Sequence, residues 1–301
     1  MQTDGATVRE DGVRLFVFGY GYSAAAAVRR LAGPSTEVAA TTRDPAKAEA
    51  MRAAGIDAIV FDGRDPAPRL REALARASHV LVSVAPGEAG DPVLNVHGAD
   101  LALARSLASI VYLSTVGVYG DHGGAWVDER TPEKPVSARS VARLAAEARW
   151  RRHGAMTKVP VAILRLSGIY GPGRNAFVNL ADGTARRLVK PGQVFNRIHV
   201  DDIAEAVRLA FRKGADGVFN VTDDEPSPPQ DVVAHAAALM GVAPPPEQDF
   251  ETADLSPMAR SFYGENKRVA NARSKRELGL VYGYPNHRVA LERMWREDGW
   301  R

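Results

Sequence analysis

Cysteine is absent from all 301 residues, so the chain carries no disulfide, no thiolate nucleophile and no Cys-bound zinc or iron–sulfur cluster. No stretch approaches the roughly 20 apolar residues that a membrane span needs, and a membrane partner is not expected. The N-terminus, MQTDGATVREDG, is polar and acidic and lacks an apolar signal core. It reads as the short frayed tail of a cytoplasmic protein. An excess of one charge is also missing: 39 Lys and Arg against 36 Asp and Glu leave a net +3, spread along the chain. Nucleic acid is therefore not implied as a partner, whereas an anionic small molecule is compatible with the balance.

What is present is globular. Hydrophobic residues make up 45% and charged residues 25%, which excludes disorder, collagen and coiled coil. The length suits one large α/β domain or two modest ones. Short apolar runs alternate with Ala-rich helical stretches in the first half. Val13–Phe18, Glu37–Thr42, Ala58–Phe61, Val80–Val84 and Ile110–Leu113 read as strands buried on both faces of a parallel sheet. Helices are expected over Ser23–Leu31, Ala46–Ala54, Pro68–Ala75 and Pro92–Leu107. Asp-Pro pairs at Asp44-Pro45, Asp65-Pro66 and Asp91-Pro92 supply starts, since Asp caps free N–H groups and Pro fits the first turn. This rhythm predicts a Rossmann-type, doubly wound parallel sheet. Further on come a Gly- and acid-rich loop (Gly120–Pro135), a helix over Ser137–His153, strands Val161–Leu166 and Val218–Val221, and a helix over Asp202–Phe211. Residues 1–170, with 198–222 returning to them, are expected to form the Rossmann domain; 171–197 and 223–301 carry more Pro and Gly and are expected to form a smaller lobe, the place for a substrate.

The first strand runs into Gly19-Tyr20-Gly21-Tyr22-Ser23-Ala24, a G-x-G-x-x-A pattern that opens a helix. Gly19 permits a tight turn, Gly21 lets a pyrophosphate approach the backbone, and Ala24 lets helix and strand pack closely. Strand context on one side and helix on the other are what this short motif needs to mean a dinucleotide. The second strand ends in Thr41-Thr42-Arg43-Asp44, where an NAD binder would place an acid on the ribose hydroxyl. Arg43 can grip a 2′-phosphate instead, and Asp44 is explained by capping, so NADP is favoured over NAD.

Ser114-Thr115-Val116-Gly117-Val118-Tyr119-Gly120, the acidic Val127-Asp128-Glu129 with Pro132, the run Leu164–Arg174 (LRLSGIYGPGR) and Arg197–Ala204 (RIHVDDIA) occur in that order. Together with Lys267-Arg268-Val269 and Lys275…Glu277-Leu278-Gly279, they resemble the motifs of extended short-chain dehydrogenases, the epimerase/dehydratase family. The resemblance covers nearly the whole chain. It implies hydride transfer on a carbonyl or sugar-like substrate, with a homodimer as a possible assembly. It also implies cofactor contacts at Ser114, Gly168 and the Ser83-Val84-Ala85-Pro86 loop.

Two features depart from the family. The phosphate loop is the shorter G-x-G-x-x-A form, and the Tyr-x-x-x-Lys pair is missing: Arg139 aligns with the tyrosine and Arg143 with the lysine. This is similar to the atypical branch of the family. Arg143 retains charge and donors for the nicotinamide ribose. Arg139 cannot take over the phenol's work, because a guanidinium stays protonated near neutral pH. It can polarise a carbonyl or meet an anionic substrate electrostatically, or be a solvated charge. Glu147, four residues beyond Arg143, is placed to pair with it, and Val141, Leu144 and Ala148 are expected to form the helix's buried face.

Thr115 matches the family hydroxyl that binds a carbonyl oxygen. Tyr170, Tyr119 and Tyr263 are the phenols that could stand in for the missing one, with Tyr170 best placed in sequence. Asp62 ends the third strand, either at adenine or as a turn residue. His199 is expected to be a structural hydrogen-bonding group and Asp201 a helix cap. Asp223-Asp224-Glu225 reads as a polar loop rather than a magnesium site, and no metal is expected. Phe262 and Tyr263 are placed either in the substrate groove or in the packing of the lobe. The leading expectation is an NADP-binding oxidoreductase; the alternative is an NADP-binding sensor or scaffold without chemistry, because Arg139 replaces tyrosine.

Overall fold

The computed structural model describes residues 12–301, and for 258 and 259 the backbone alone; the expected frayed tail lies outside the described residues. The chain runs β1 (Arg14–Phe18), α1 (Tyr22–Leu31), β2 (Glu37–Thr42), α2 (Pro45–Ala53), β3 (Asp57–Val60), α3 (Pro68–Arg76), β4 (His79–Val82), α4 (Pro92–Leu103) and β5 (Ser109–Thr115). It continues through β6 (Trp126–Val127), α5 (Ala138–Thr157), β7 (Val161–Leu166), β8 (Gly168–Tyr170), α6 (Ala176–Ala181), β9 (Arg187–Val189), β10 (Arg197–His199), α7 (Val200–Lys213) and β11 (Gly217–Val221). The last elements are α8 (Pro229–Met240), β12 (Glu247–Asp249), α9 (Pro257–Phe262), β13 (Arg268–Val269) and α10 (His287–Arg296). No helix among the described residues is long and apolar enough to cross a membrane.

Seven strands form one sheet in the order β11-β7-β5-β4-β1-β2-β3, every neighbouring pair parallel. The fold is therefore the expected Rossmann-type α/β sheet, with its strand order reversing between β1 and β4. Alternate strand residues feed opposite cores, as the two-residue strand period dictates. Leu15, Val17, Val111 and Leu113 pack towards α1 and α7, while Phe16, Phe18, Val80, Val82 and Tyr112 face Leu70, Leu101 and Trp150 of α3, α4 and α5. A third core joins Phe177 of α6, Ala236 of α8, and Leu291 and Met294 of α10 to Trp300.

Capping explains where the helices begin. Asp44 accepts the N–H of Ala46, and Asp91 those of Val93 and Leu94. Asp65 does not act this way: α3 starts at Pro68 behind Ala67 with no side-chain cap. Nor does Asp201 cap α7. His199 does, its Nδ1 accepting the N–H of Asp201 at 3.2 Å. The fourth helix stops at Leu103, short of the expected Leu107.

Helix α5 differs most from expectation. Val141 is 51% exposed, Ala148 is exposed and Leu144 only half-buried; the buried residues are Ser140, Ala146, Glu147, Trp150 and Gly154. Gly154 allows the close approach: a Cβ there would stand 2.6 Å from Cγ2 of Val161 and 2.9 Å from the Val159 carbonyl. Glu147 does not pair with Arg143. It receives Arg165 of β7 in a fork, Nη2 to Oε2 at 2.7 Å and Nε at 3.2 Å, and the Ser114 hydroxyl donates to its other oxygen. Arg165 is 2% exposed and also reaches Glu133 at 2.5 Å. Burial works against the guanidinium's charge, but the two carboxylates hold it firmly protonated. A buried charge stripped of its partner is strongly destabilising. Glu147→Ala is therefore expected to lower unfolding free energy in urea by about 3–5 kcal/mol. A loss below about 1 kcal/mol would show that the pair does not anchor the helix.

Beyond β11 the acids of Asp223-Asp224-Glu225 go separate ways: Asp224 to Lys275 and Asn271, Glu225 to Arg288, and Asp223 into the interior at 2% exposure. Asp223 accepts the Glu225 N–H through Oδ1, and its Oδ2 has no partner. Burial pushes its carboxyl up to about 8, against the pull of Arg197. A raised native value means that the folded state holds a proton the unfolded chain has released, so stability falls as pH rises from about 4 to 8. Unfolding across this range should show wild type losing stability relative to Asp223→Asn, by up to about 1.4 kcal/mol per pH unit. Parallel profiles would contradict the burial of a neutral acid.

Candidate functional site

The turn after β1 is built for a close approach. Gly19 takes φ +82°, and a Cβ there would lie 2.8 Å from Cγ2 of Val84 on the neighbouring strand's loop. Its N–H donates to Thr41 Oγ1 at 2.9 Å, and that of Tyr20 to the Thr41 carbonyl at 2.8 Å, which pins the turn to β2. Gly21 is the N-cap residue of α1 and offers no capping side chain. The first-turn N–H groups of Tyr22, Ser23 and Ala24 thus have no acceptor among the described residues, and the space beyond Gly21 is open to 4 Å. Free N–H groups at a helix start, with room in front of them, suit an anionic ligand. Ala24 is fully buried and packs the helix against the sheet, as its smallness predicts. The Tyr22 phenol crosses the loop to donate to the Pro172 carbonyl at 2.8 Å, tying the phosphate turn to the YGPGR segment.

At the end of β2, Arg43 is exposed and makes no hydrogen bond or ion pair among the described residues. Asp44 beside it is spent on its cap. A second cation stands here that the sequence reading passed over: Lys47 in the first turn of α2, whose Nζ donates to the Tyr20 carbonyl at 2.5 Å. Arg-Asp-Pro-x-Lys was the available signal, because the first turn of a helix returns its third residue to the strand end. Asp62 forms a turn, accepting the Arg64 N–H at 2.9 Å, and is exposed.

Past the switch point, the β4 loop, β5, α5, β8 and β10 surround a cleft of about 830 Å³. Ala85 and Pro86 line it, while Val84 backs onto Gly19. Arg143 reaches from α5 to the sheet edge. Its Nη1 donates to the Leu113 carbonyl at 2.9 Å and the Tyr112 phenol at 3.0 Å, with the Val84 carbonyl at 3.4 Å. Thr115 lines the same wall; its Oγ1 accepts the Gly117 N–H at 3.1 Å, which leaves its own O–H free to donate into the cleft. Ser114 is turned away, its hydroxyl committed to Glu147. Arg139, one turn before Arg143, sits exposed at the rim with its guanidinium 5.8 Å from the Phe262 ring. The structure thus brings Thr115, Arg139, Arg143, Gly168 and Tyr170 to one cleft.

The candidate phenols separate by environment. Tyr119 is buried away from the cleft, donates to Asn220 at 2.8 Å and is pushed up to about 12 by burial. Tyr263 lines the cleft but stacks on Phe250 at 4.7 Å, and burial raises its phenol. Tyr170 faces the cleft with its hydroxyl buried and unpartnered, and burial holds it far above the ordinary phenol range. His199 stacks on Tyr284 at 3.6 Å and is lowered to about 4 by burial, in keeping with the structural part expected of it. Ser167, Arg197 and Lys267 of the cleft wall entered the sequence reading only as members of motifs, without a role at the site. Lys267 is already held by Glu265 at 2.5 Å and the Gly120 carbonyl at 2.8 Å. Among the described residues no group of three acids or histidines could hold a metal ion.

A nicotinamide dinucleotide fits this edge. The phosphate turn has free N–H donors, Arg143 and the β4 loop flank the sheet's far side, and the cleft lies beyond. The model of the NAD dependent epimerase/dehydratase family matches residues 15–222. A solved structure of a functionally unknown conserved protein from Silicibacter pomeroyi superposes with a TM-score of 0.86 at 47% identity, covering 95% of this chain and 99% of that one. Protein YeeZ of Escherichia coli is 31% identical over 62% of each chain, and a 3-diazoavenalumate denitrifying reductase of Streptomyces is 29% identical over 65% of each. The chain therefore spans a little under two thirds of the length of these curated relatives. A family match running from β1 to the end of β11, over a strand order and strand-end cleft that suit a dinucleotide, makes this chain an NAD(P)-binding member of the NAD dependent epimerase/dehydratase family.

Proposed function

We propose that this chain is an NADP-preferring oxidoreductase that moves hydride to or from a carbonyl or sugar-like alcohol held in the cleft. The observation that carries the reading is Arg143. Its guanidinium is fastened to the carbonyl ends of β4 and β5, where the family's lysine would serve the nicotinamide ribose, and a free hydroxyl on Thr115 stands on the same wall. The kinship with a Streptomyces reductase supports the reaction class. When bound, the dinucleotide supplies or accepts the hydride. The chain's own part is then to hold the phosphates on the first turn of α1, orient the ribose with Arg143, and donate a hydrogen bond to the substrate oxygen from Thr115. Arg139 and Arg143 add positive potential where negative charge develops on that oxygen. A second reading, a cofactor sensor without turnover, is favoured by one observation. The two phenols on the cleft wall, Tyr170 and Tyr263, are both raised by burial, away from the range in which a phenol gives up a proton near neutral pH.

The cofactor preference rests on Arg43 and Lys47, two cations at one strand end. Charge-assisted bonds to a 2′-phosphate are worth about 1.5–3 kcal/mol each. Arg43→Ala and Lys47→Ala should each weaken NADPH about tenfold or more in fluorescence titrations, and leave NADH within about twofold, since it lacks the group they would hold. Equal losses for both cofactors would remove the assignment.

Turnover decides between the two readings. NADPH oxidation against a panel of carbonyl compounds should yield activity that falls about a hundredfold in Thr115→Val, with NADPH affinity unchanged. Tight NADPH binding with no turnover across the panel would favour the sensor.

A further inference from the structure

Two arginines are treated differently: Arg165 is fully buried, and Arg197 is half-buried on the cleft wall. Arg165 is gripped by Glu147 and Glu133. Arg197, on β10, has no carboxylate within ion-pair distance among the described residues. Its Nη1 is spent on neutral oxygens, the Phe195 carbonyl at 3.1 Å, the Ser227 carbonyl at 3.1 Å and the Ser227 hydroxyl at 2.7 Å. Nε and Nη2 find no acceptor among the described residues, and the side chain lines the cleft. Asp223, the acid whose charge acts on Arg197 most, makes no ion pair with it, and burial pushes its carboxyl up to about 8, which weakens it as a counter-ion. A half-buried guanidinium with free N–H groups on a cleft wall and no paired carboxylate suits a ligand that brings the missing charge.

The groups beside Arg197 fit such a ligand. Residue 197 pairs with Gly168 in the parallel β8–β10 ladder, which sets it next to Ser167 and Tyr170 on the cleft wall. The hydroxyls of Ser167 and Tyr170 are both buried and both without a partner. The Tyr170 phenol, held far above its ordinary range by burial, stays a neutral donor. One fork of guanidinium N–H groups and two hydroxyls is the donor set that a carboxylate or a phosphate accepts.

We propose that Arg197, Tyr170 and Ser167 form an oxyanion anchor, so that the substrate carries an acidic group, carboxylate or phosphate, bound here while its reacting carbon lies towards Arg143 and Thr115. This names the substrate class of the site proposed above and rests on that reading for the position of the reacting carbon alone.

The test is calorimetric titration of the full-length protein, with and without NADPH, using benzoate and inorganic phosphate as probes. At least one probe should bind. Arg197→Met should weaken it about tenfold or more, as expected for loss of a charge-assisted fork. Tyr170→Phe should weaken it about threefold, and Arg139→Ala on the rim by less than about twofold. Arg197 also ties down the Ser227 loop, so Arg197→Met is open to misfolding; Tyr170→Phe removes a hydroxyl that bonds nothing in the protein and keeps the test independent of that. Benzoate binding alone marks a carboxylate substrate, and phosphate binding alone a phosphorylated one; either supports the anchor. No binding of either probe, or affinities unmoved by Tyr170→Phe, would overturn it. NADPH affinity is read from the same samples. Loss of the anchor with NADPH bound leaves the cofactor reading standing, and probe binding without NADPH binding does the reverse.

Discussion

The buried fork between Glu147 and Arg165 fixes the geometry on which the cleft depends. Arg165 arrives on a central strand with its charge inside the protein, and the carboxylate that neutralises it comes from the middle of α5. Ser114, at the edge of β5, adds a hydroxyl to the same carboxylate. One acid thus ties a 20-residue helix to two adjacent strands, and α5 cannot slide along the sheet without exposing an unpaired charge. Arg143 lies one turn upstream of that fixed point and Arg139 two turns upstream, so both guanidiniums are delivered to the sheet's carboxyl edge.

That delivery changes what the edge can do. Where the family carries a phenol and an amine, this chain carries two permanent cations. A guanidinium offers N–H donors and charge rather than proton transfer, so their contribution is field and hydrogen bonding. Arg143 is immobilised by two strand-end carbonyls and a phenol, a pre-organised arrangement that costs little reorganisation when negative charge develops nearby. Arg139 is held only against an aromatic ring at the rim. The cleft is biased towards anions, with Arg174 and Arg197 on its walls and Glu265, the one lining carboxylate among the described residues, matched by Lys267.

Much of this was legible in the sequence where the cause was local. The strands were visible because buried parallel strands are apolar on both faces, and the turn at Gly19–Ala24 because its glycine spacing answers a steric need at one place. Asp44 and Asp91 cap as their position before proline requires. What stayed hidden was decided by partners distant in the chain. Glu147 has a cation only four residues away in the chain, Arg143, yet it binds Arg165, 18 residues on, because both are buried against the same strand while Arg143 is taken by strand-end carbonyls. For the same reason Glu147 and Ser140 lie on the buried face of α5, beside Ala146, Trp150 and Gly154, while the apolar positions Val141 and Ala148 are exposed. Arg197 looked like part of a motif. Only the three-dimensional environment reveals that its charge is unmatched. Lys47 was missed because its value depends on the strand end it folds back upon.

The central claim is that an arginine has taken over the lysine's place at the nicotinamide ribose. A crystal structure of the protein with NADP⁺ tests it most directly. The account predicts the pyrophosphate on the N–H groups that open α1, the 2′-phosphate between Arg43 and Lys47, and the nicotinamide ribose hydroxyls within hydrogen-bond distance of Arg143. A bound dinucleotide whose nicotinamide ribose lies clear of Arg143, or one that enters with its ends reversed, would contradict it.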